Sequence, residues 1–205
     1  SSIWVKGKLP FDNDEGLRRV PFEIPDLNEI KSISCSKRSI VFVVEDGKSF
    51  SLGDNSFGQL GTCKPANSIE FEPVKTTIPF RNVCCGFHFT MWLTTDDFIF
   101  VSGLSRFNKP NTFKRRKADL LFVQNNSVVL KSQNVVSYWS NFDFDVEPLE
   151  HECTGQITSI ACDGTNAYFV ANGVLFTLTQ DNCIPFFHPN VPPIQAVYCF
   201  ESNVV

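Results

Sequence analysis

The feature that most limits what this chain can fold into is a short pattern that recurs four times. Each copy is an apolar strand rich in β-branched and aromatic residues, then a polar turn, then a second apolar strand. The copies are residues 40–55 (IVFVVEDGKSFSLGDN), 90–105 (TMWLTTDDFIFVSGLS), 120–134 (LLFVQNNSVVLKSQN) and 167–182 (AYFVANGVLFTLTQDN). Repetition of one hairpin along the chain predicts a repeat architecture built from small β-sheets.

A short apolar strand that ends in cysteine precedes three of these hairpins. The strands end at Cys35, Cys85 and Cys162, and a further copy ends at Cys199. Before the third hairpin the corresponding position is Arg115. With these five positions as markers of the repeat, the distances between them are those of propeller blades with outer connections of varying length.

Another strand candidate precedes the markers. Residues 73–78 contain a proline, which suits an edge strand, and they are followed by the strand that ends at Cys85. Residues 20–24 stand in the same relation to Cys35. Each unit then holds four short strands, so the predicted fold class is all-β, a β-propeller of four-stranded antiparallel blades.

Composition agrees with a fold made of strands and indicates the cellular compartment of the protein. Of 205 residues 42% are hydrophobic, with Phe at 21 against Met at 1, and no window carries a sustained helical apolar stripe. The net charge of −4 argues against bulk binding to nucleic acid or to a membrane surface. The 8 cysteines form no CxxC pair and no signal peptide is evident, which favours reduced thiols in an intracellular protein, cytoplasmic or nuclear.

Residues 53–61 (GDNSFGQLG), Pro73-Val74 and residues 83–103 (VCCGFHFTMWLTTDDFIFVSG) together resemble one full repeat of the regulator of chromosome condensation family. The resemblance implies a seven-bladed propeller, which would need on the order of 350 residues. This chain offers about four units, so we expect part of a propeller, closed by a missing segment or by a second chain that covers its edges. The predicted blade units are residues 9–53, 54–103, 104–134 and 135–179, with the start of a further blade at 180–205.

The resemblance also assigns residues to the framework of the repeat. They are Gly53, Asn55, Gly58, Gln59, Leu60, Gly61, Cys85, Gly86 and His88. Although Cys85 and His88 are metal-ligand types, no second pair lies at a matching distance and a structural zinc needs four ligands. The chain's three histidines complete no recognisable catalytic signature with a cysteine. We therefore predict no metal, no cofactor and no enzymatic activity.

One concentrated basic stretch runs over residues 109–117 (KPNTFKRRK), with Lys114, Arg115, Arg116 and Lys117 uninterrupted. Such a stretch suits phosphates, nucleic acid, an acidic partner or a nuclear import receptor. The simpler interpretation is a solvated loop that leads into the third hairpin.

A second stretch, residues 138–152, mixes aromatic and acidic side chains. Tyr138 and Trp139 with Asp143 and Asp145 are what a surface for a basic protein partner would use. The simpler interpretation is an outer strand and its loop, with the aromatic side chains turned inward and the acids outward.

Three classes of function stay open. We favour a non-enzymatic protein–protein interaction module or scaffold that binds through loops on one propeller face. The second, implied by the resemblance, is a guanine-nucleotide exchange factor for a Ran-like small GTPase; no inserted hairpin suits the wedge that this needs, and residues 104–118 are the nearest candidate. The third is chromatin or nucleic-acid association through the basic stretch, which the net charge opposes. The expected partner is thus a protein, with a small GTPase as one candidate, rather than a nucleic acid or a membrane.

Overall fold

The structure, a computed structural model, describes residues 3–5, 18–20, 30–180, 182–186, 192–200 and 203–204. The regular elements in these residues are β-strands. Across this described part of the chain there is no helix with the length and apolar character to cross a membrane. The chain divides into two compact units, Ser1–Arg116 and Lys117–Val205.

The first unit holds a strand pair and two four-stranded antiparallel sheets. The pair is β1 (Ile3–Val5) and β2 (Arg18–Val20). The first sheet is β3 (Ile30–Cys35), β4 (Ser39–Val44), β5 (Ser49–Gly53) and β6 (Ser68–Pro73). The second is β7 (Phe80–Cys85), β8 (Phe89–Thr94), β9 (Phe98–Gly103) and β10 (Phe107–Lys117). In both sheets neighbours in the chain are neighbours in the sheet, so each sheet is a meander.

The second unit repeats this arrangement. Its first four-stranded sheet is β11 (Leu120–Gln124), β12 (Ser127–Ser132), β13 (Val135–Trp139) and β14 (Leu149–Glu152). Its second is β15 (Ile157–Cys162), β16 (Ala167–Ala171), β17 (Val174–Leu178) and β18 (Cys183–Phe186). A last pair consists of β19 (Cys199–Phe200) and β20 (Asn203–Val204).

The second strand of each sheet in the first unit is covered on both faces. All six residues of β8 are buried, and so are five of the six in β4. Phe42 lies opposite Phe50, and Trp92 opposite Phe100. Because both faces are covered, these strands read as continuous apolar runs rather than alternating ones. One core cluster joins the two sheets and contains Val41, Val43, Val74, Phe80, Val83, Cys85, Trp92 and Phe100.

The first strands of three sheets share a β-bulge at the same place. The pairing register shifts between Ile30 and Ser32 in β3, between Phe80 and Asn82 in β7, and between Ile157 and Ser159 in β15. A bulge adds local twist and re-aims the following side chain. The residue after each bulge is Ser32, Asn82 or Ser159. Ser32 and Asn82 bond to each other between β3 and β7, and the hydroxyl of Ser159 accepts from the N–H of Val197, two residues before β19.

The predicted fold class is confirmed by the four antiparallel four-stranded sheets. Three predicted hairpins, at residues 40–55, 90–105 and 167–182, contain the second and third strands of their sheets. The hairpin at 120–134 differs, because it contains the first and second strands, β11 and β12.

The marker assigned to Arg115 was therefore wrong. Arg115 lies in β10, the last strand of the second sheet, whereas the first strand of the third sheet ends at Gln124. With Gln124 in that place, first strands end at 35, 85, 124 and 162, so the repeat is more regular in structure than its cysteines suggested.

The predicted blade boundaries stay a prediction. The hydrogen-bonded sheets span residues 30–73, 80–117, 120–152 and 157–186. In each sheet the loop after the third strand leads to a fourth strand that pairs with that third strand. Of the predicted edge strand at 20–24, residues 21–24 lie outside the described residues.

Candidate interaction site

The loop at residues 53–61 is held by the side chain of Asn55. The Oδ1 atom of Asn55 accepts from the backbone N–H of Leu60 at 2.9 Å, and its Nδ2 donates to the carbonyl of Lys64. Its own N–H donates to Oδ1 of Asn67 at 2.8 Å. The Asn55 side chain thus replaces backbone partners inside a loop that is itself buried, as buried polar groups require.

Gln59 ties the same loop to the second sheet. Its Oε1 accepts from the N–H of Phe57 at 2.9 Å, and its carbonyl accepts from the hydroxyl of Ser102 at 3.1 Å. The hydroxyl of Ser51 donates to the carbonyl of Leu60 at 2.8 Å. Both sheets of the first unit therefore hold the loop. The framework role that the resemblance implies for Gln59 and Leu60 stays a prediction.

Two loop glycines have little room for a side chain. A Cβ on Gly58 would lie 2.8 Å from the carbonyl oxygen of Phe107, and one on Gly61 would lie 3.1 Å from Cδ of Pro110. Both have positive φ, 82° and 68°. Glycine is needed here because β10 passes directly over the loop.

Cys85, Gly86 and His88 make contacts within the second sheet and to its neighbours. The N–H of Cys85 donates to the hydroxyl of Ser34 at 2.9 Å, and burial raises the pKa of the Cys85 thiol to about 12. A thiol with that pKa is not a nucleophile at neutral pH. Gly86 N–H donates to the carbonyl of Phe89, and the His88 ring lies 4.0 Å from the ring of Phe57, between centroids.

The basic stretch is a strand, not the loop that we expected. Residues 107–117 form β10, the outermost strand of the second sheet, with Pro110 and Phe113 buried. Within it Lys114 and Arg115 have positive φ, 45° and 52°. Lys114, Arg115 and Lys117 are exposed and Arg116 is half-buried. This edge strand is held on one side only, by hydrogen bonds to β9.

The aromatic and acidic stretch separates into a buried part and an exposed part. Tyr138 and Trp139 belong to β13 and are 2% and 3% exposed. The indole N–H of Trp139 donates to the carbonyl of Val146 at 2.9 Å. Asp143 and Asp145 are exposed in the following loop. The interpretation of Tyr138 and Trp139 as exposed anchors for a partner was therefore wrong. Both side chains are buried in the core of the sheet, as is usual for large apolar side chains.

A groove that the sequence did not predict lies in the first unit. It has a volume of about 880 Å³ and is formed by three segments. They are residues 46–50, which cover the β4–β5 turn and the start of β5, residues 73–79, which cover the end of β6 and its connection to β7, and residues 109–111 of β10. Three lysines line it, Lys48, Lys75 and Lys109. Since they are far apart in sequence, only the fold brings them together.

Backbone hydrogen bonds fix the walls of this groove. Val74 N–H donates to the carbonyl of Ser49 at 2.9 Å, Lys75 N–H to that of Gly61 at 3.0 Å, and Phe80 N–H to that of Gly47 at 2.9 Å. The segment between β6 and β7 is thus hydrogen-bonded to the β4–β5 turn and to the start of β5. These bonds hold two of the three groove segments together by backbone contacts alone.

Nothing in the described residues suggests a metal centre, since they contain no group of three or more metal-ligating side chains. All 8 cysteines are free thiols in the structure.

Residues 46–93 match the sequence model of the Regulator of chromosome condensation (RCC1) repeat. The fold is that of an RCC1-type β-propeller. The match to the RCC1 repeat includes the loop at 53–61 and two of the three groove segments, but not residues 109–111.

Solved structures agree in fold. The chain is similar to human WBSCR16, with 15% identity and a TM-score of 0.67 over 93% of this chain and 57% of the other. It is similar to yeast RCC1 (Prp20) solved with Kap60, with 15% identity and a TM-score of 0.72 over 91% and 55%. A third is Prp20p from Saccharomyces cerevisiae, reported with its binding to Gsp1p and histones, at 15% identity and a TM-score of 0.61 over 80% and 48%.

The chain spans about half the length of these RCC1-type structures. No curated protein sequence matches it.

Proposed function

We propose that the protein is a non-enzymatic interaction module of the RCC1 type, which binds a protein partner through the connections at one end of its blades. The observation that carries the proposal is the groove at residues 46–50, 73–79 and 109–111. Binding residues collect on connections that a rigid scaffold positions, and the two sheets of the first unit supply such a scaffold. Its place is proposed to be the cytoplasm or nucleus.

The scaffold supports the proposal because the connections themselves are ordered. The indole N–H of Trp92 donates to the hydroxyl of Ser49 at 3.0 Å, and that hydroxyl donates to the carbonyl of Phe42 at 2.8 Å. A side chain of the second sheet thereby holds the turn of the first. Preorganised connections lose little conformational entropy when a partner binds.

The experiment is site-specific photo-cross-linking. A photoreactive amino acid replaces Thr77 in the groove or, as the control, Lys37 in the β3–β4 turn at the opposite end of β4. We expect the Thr77 position to give a reproducible cross-linked protein that the Lys37 position does not give. Equal or absent cross-linking at both positions would contradict the proposal.

The second candidate function is nucleotide exchange on a Ran-like small GTPase. Its support is the similarity in fold to Prp20p, a protein reported to bind Gsp1p. The decisive measurement is release of a fluorescent guanine nucleotide from Ran and from a panel of other small GTPases. An interaction module should leave the release rate unchanged, and acceleration on any GTPase would favour exchange instead.

A further inference from the structure

We infer that the groove takes an acidic peptide segment of the partner, whose carboxylates pair with Lys75 and Lys109. This inference rests on the proposed interaction function and adds the chemistry of the partner. It follows from the charge, the shape and the residue types of the groove.

The charge of the groove is positive on a chain that is negative overall. Its lining contains Lys48, Lys75 and Lys109 against one carboxylate, Asp46. Asp46 is already occupied, because its Oδ2 lies 2.6 Å from the Nζ of Lys48. Among the described residues no carboxylate lies within ion-pair distance of Lys75 or Lys109, and both are exposed. Two uncompensated ammonium groups thus face an opening, whereas the chain as a whole carries −4.

The lining of the groove mixes apolar residues such as Phe50 and Ile78 with the polar Thr76, Thr77 and Asn111. Val74 and Pro110 are buried, and the Ser49 hydroxyl is committed to Phe42 and Trp92. A volume of about 880 Å³ falls within the range of roughly 300–1,000 Å³ that ligand clefts occupy. An occupant therefore meets apolar side chains together with the ammonium groups of Lys75 and Lys109.

Three prolines in the lining limit how the groove can bind the backbone of a peptide. Pro73, Pro79 and Pro110 line the groove, and none of them has an N–H to donate. Pairing with a peptide backbone as an added β-strand is thus interrupted at three places. Recognition then depends on side chains, which gives the lysine ammonium groups the main role in choosing the ligand.

The residue types argue against nucleic acid as the occupant. The lining contains no arginine, and its one aromatic side chain, that of Phe50, is half-buried. Arginine forks suit phosphate, and exposed aromatic faces suit bases. Lysine charges without arginine forks or an exposed aromatic face fit the carboxylates of a peptide better.

The test titrates the full chain with a short fluorescein-labelled peptide of alternating Glu and Gly, and follows fluorescence anisotropy. A Gln-for-Glu peptide is the ligand control. We expect binding of the Glu peptide that weakens as salt is raised. The double variant Lys75→Glu/Lys109→Glu should lose about tenfold or more in affinity, because two attractive charges become repulsive.

The matched control is Lys37→Glu, which reverses an exposed lysine of the same unit in the β3–β4 turn. It should change the affinity less than about twofold. Far-UV circular dichroism and thermal unfolding show that all variants are folded. Absence of binding to the Glu peptide, an unaffected double variant, or tighter lysine-dependent binding to a single-stranded oligonucleotide would each overturn the inference.

Failure of the inference and failure of the proposed function give different results. Cross-linking at Thr77 that survives Lys75→Glu/Lys109→Glu would leave an interaction module whose ligand is not acidic. If the photoreactive residue at position 77 gave no cross-link in a chain that is otherwise wild type, the proposed interaction function itself would be refuted.

Discussion

At the scale of single residues, the glycine that ends the third strand of a blade has a steric explanation. A Cβ on Gly53 would lie 2.2 Å from the carbonyl oxygen of Arg38, and one on Gly103 would lie 2.2 Å from that of His88. The following residue then donates to the same carbonyl, Asp54 to Arg38 at 2.9 Å and Leu104 to His88 at 2.8 Å. The two sheets thus share one geometry. At the end of β5 the backbone packs against the β3–β4 turn, and at the end of β9 it packs against the β7–β8 turn.

We predict that Gly103→Ala destabilises the fold by about 3 kcal/mol or more, from backbone strain together with the clash against a carbonyl that cannot move away. Gly164→Ala is the control, since Gly164 also has positive φ, 101°, but its nearest neighbour would be Ser127 Oγ at 3.9 Å. That variant should cost only about 1–2 kcal/mol of strain. Urea unfolding followed by circular dichroism measures both, and equal losses would refute the close-approach argument.

A second residue-scale prediction concerns Asp54, which is 4% exposed. Burial alone would raise its pKa, but two hydrogen bonds from Ser56 and the charge of Arg38 outweigh burial, so the pKa of Asp54 lies below the ordinary 3.8. A carboxylate with a lowered folded-state pKa stabilises the fold above its unfolded pKa and loses that contribution as the pH falls through the folded value.

The difference in unfolding free energy between wild type and Asp54→Asn should therefore be constant from about pH 7 to pH 5, at about 1–2 kcal/mol, and shrink below about pH 3.8. Ser56→Ala, which keeps the carboxylate but removes the hydroxyl donor and leaves the backbone N–H of residue 56, should show a smaller version of the same pH dependence. Urea unfolding at several pH values provides the comparison. A difference that does not change with pH would show that the Asp54 charge has no role.

At the scale of elements, serine hydroxyls join the first strands of neighbouring sheets. Ser32 and Ser34 of β3 accept from the N–H groups of Val83 and Cys85 in β7, at 3.2 and 2.9 Å. In the second unit Ser159 of β15 accepts from the N–H of Val197 at 3.1 Å. First strands of adjacent sheets are not paired in one ladder, so a hydroxyl can satisfy a buried backbone donor there, as that of Ser34 does for Cys85. The N–H of Val83 is shared, because it also donates to Oδ1 of Asn82 at 2.7 Å.

We expect Ser34→Ala to destabilise the fold by about 1–3 kcal/mol, because the N–H of the buried Cys85 loses its acceptor. Amide hydrogen exchange at Cys85 is the specific measurement, and it should accelerate in this variant. Ser34→Thr keeps the hydroxyl and should keep protection. Unchanged exchange in Ser34→Ala would mean that the hydroxyl does not hold the two strands together.

At the scale of the whole molecule, charge bears on the remaining candidate, association with chromatin or nucleic acid. In the uninterrupted basic run of β10, residues 114–117, three side chains are exposed and Arg116 is half-buried, within a chain of net charge −4. Phosphate binding needs a larger basic surface to overcome that overall charge.

We predict no retention of double-stranded DNA at near-physiological salt, and no change on replacing the three exposed residues by Lys114→Glu/Arg115→Glu/Lys117→Glu. A gel-shift titration with thermal unfolding as the folding control measures this. Binding by the wild type that the triple variant abolishes would establish β10 as a nucleic-acid surface.

The sequence by itself determined the local elements and the family of the fold. Hairpins 40–55, 90–105 and 167–182 were predictable because strand residues and turn residues alternate within a few positions, where local conformational preference suffices. The GDNSFGQLG loop carried the RCC1 resemblance in part for the same reason, since the side chain of Asn55 bonds to Leu60 and Lys64, which are near it in the sequence. Its glycines Gly58 and Gly61 depend instead on the distant strand β10, which the sequence alone did not place.

Only the tertiary structure decided which strands share a sheet and which charges share a groove. The stretch 109–117 looks like a polar loop, yet it becomes β10 because β9 offers an open edge and because the buried Pro110 and Phe113 hold it there. Lys48, Lys75 and Lys109 meet through pairings between distant segments. Such pairings depend on packing between sheets, and that packing leaves no periodic pattern in the sequence near any one of the three lysines.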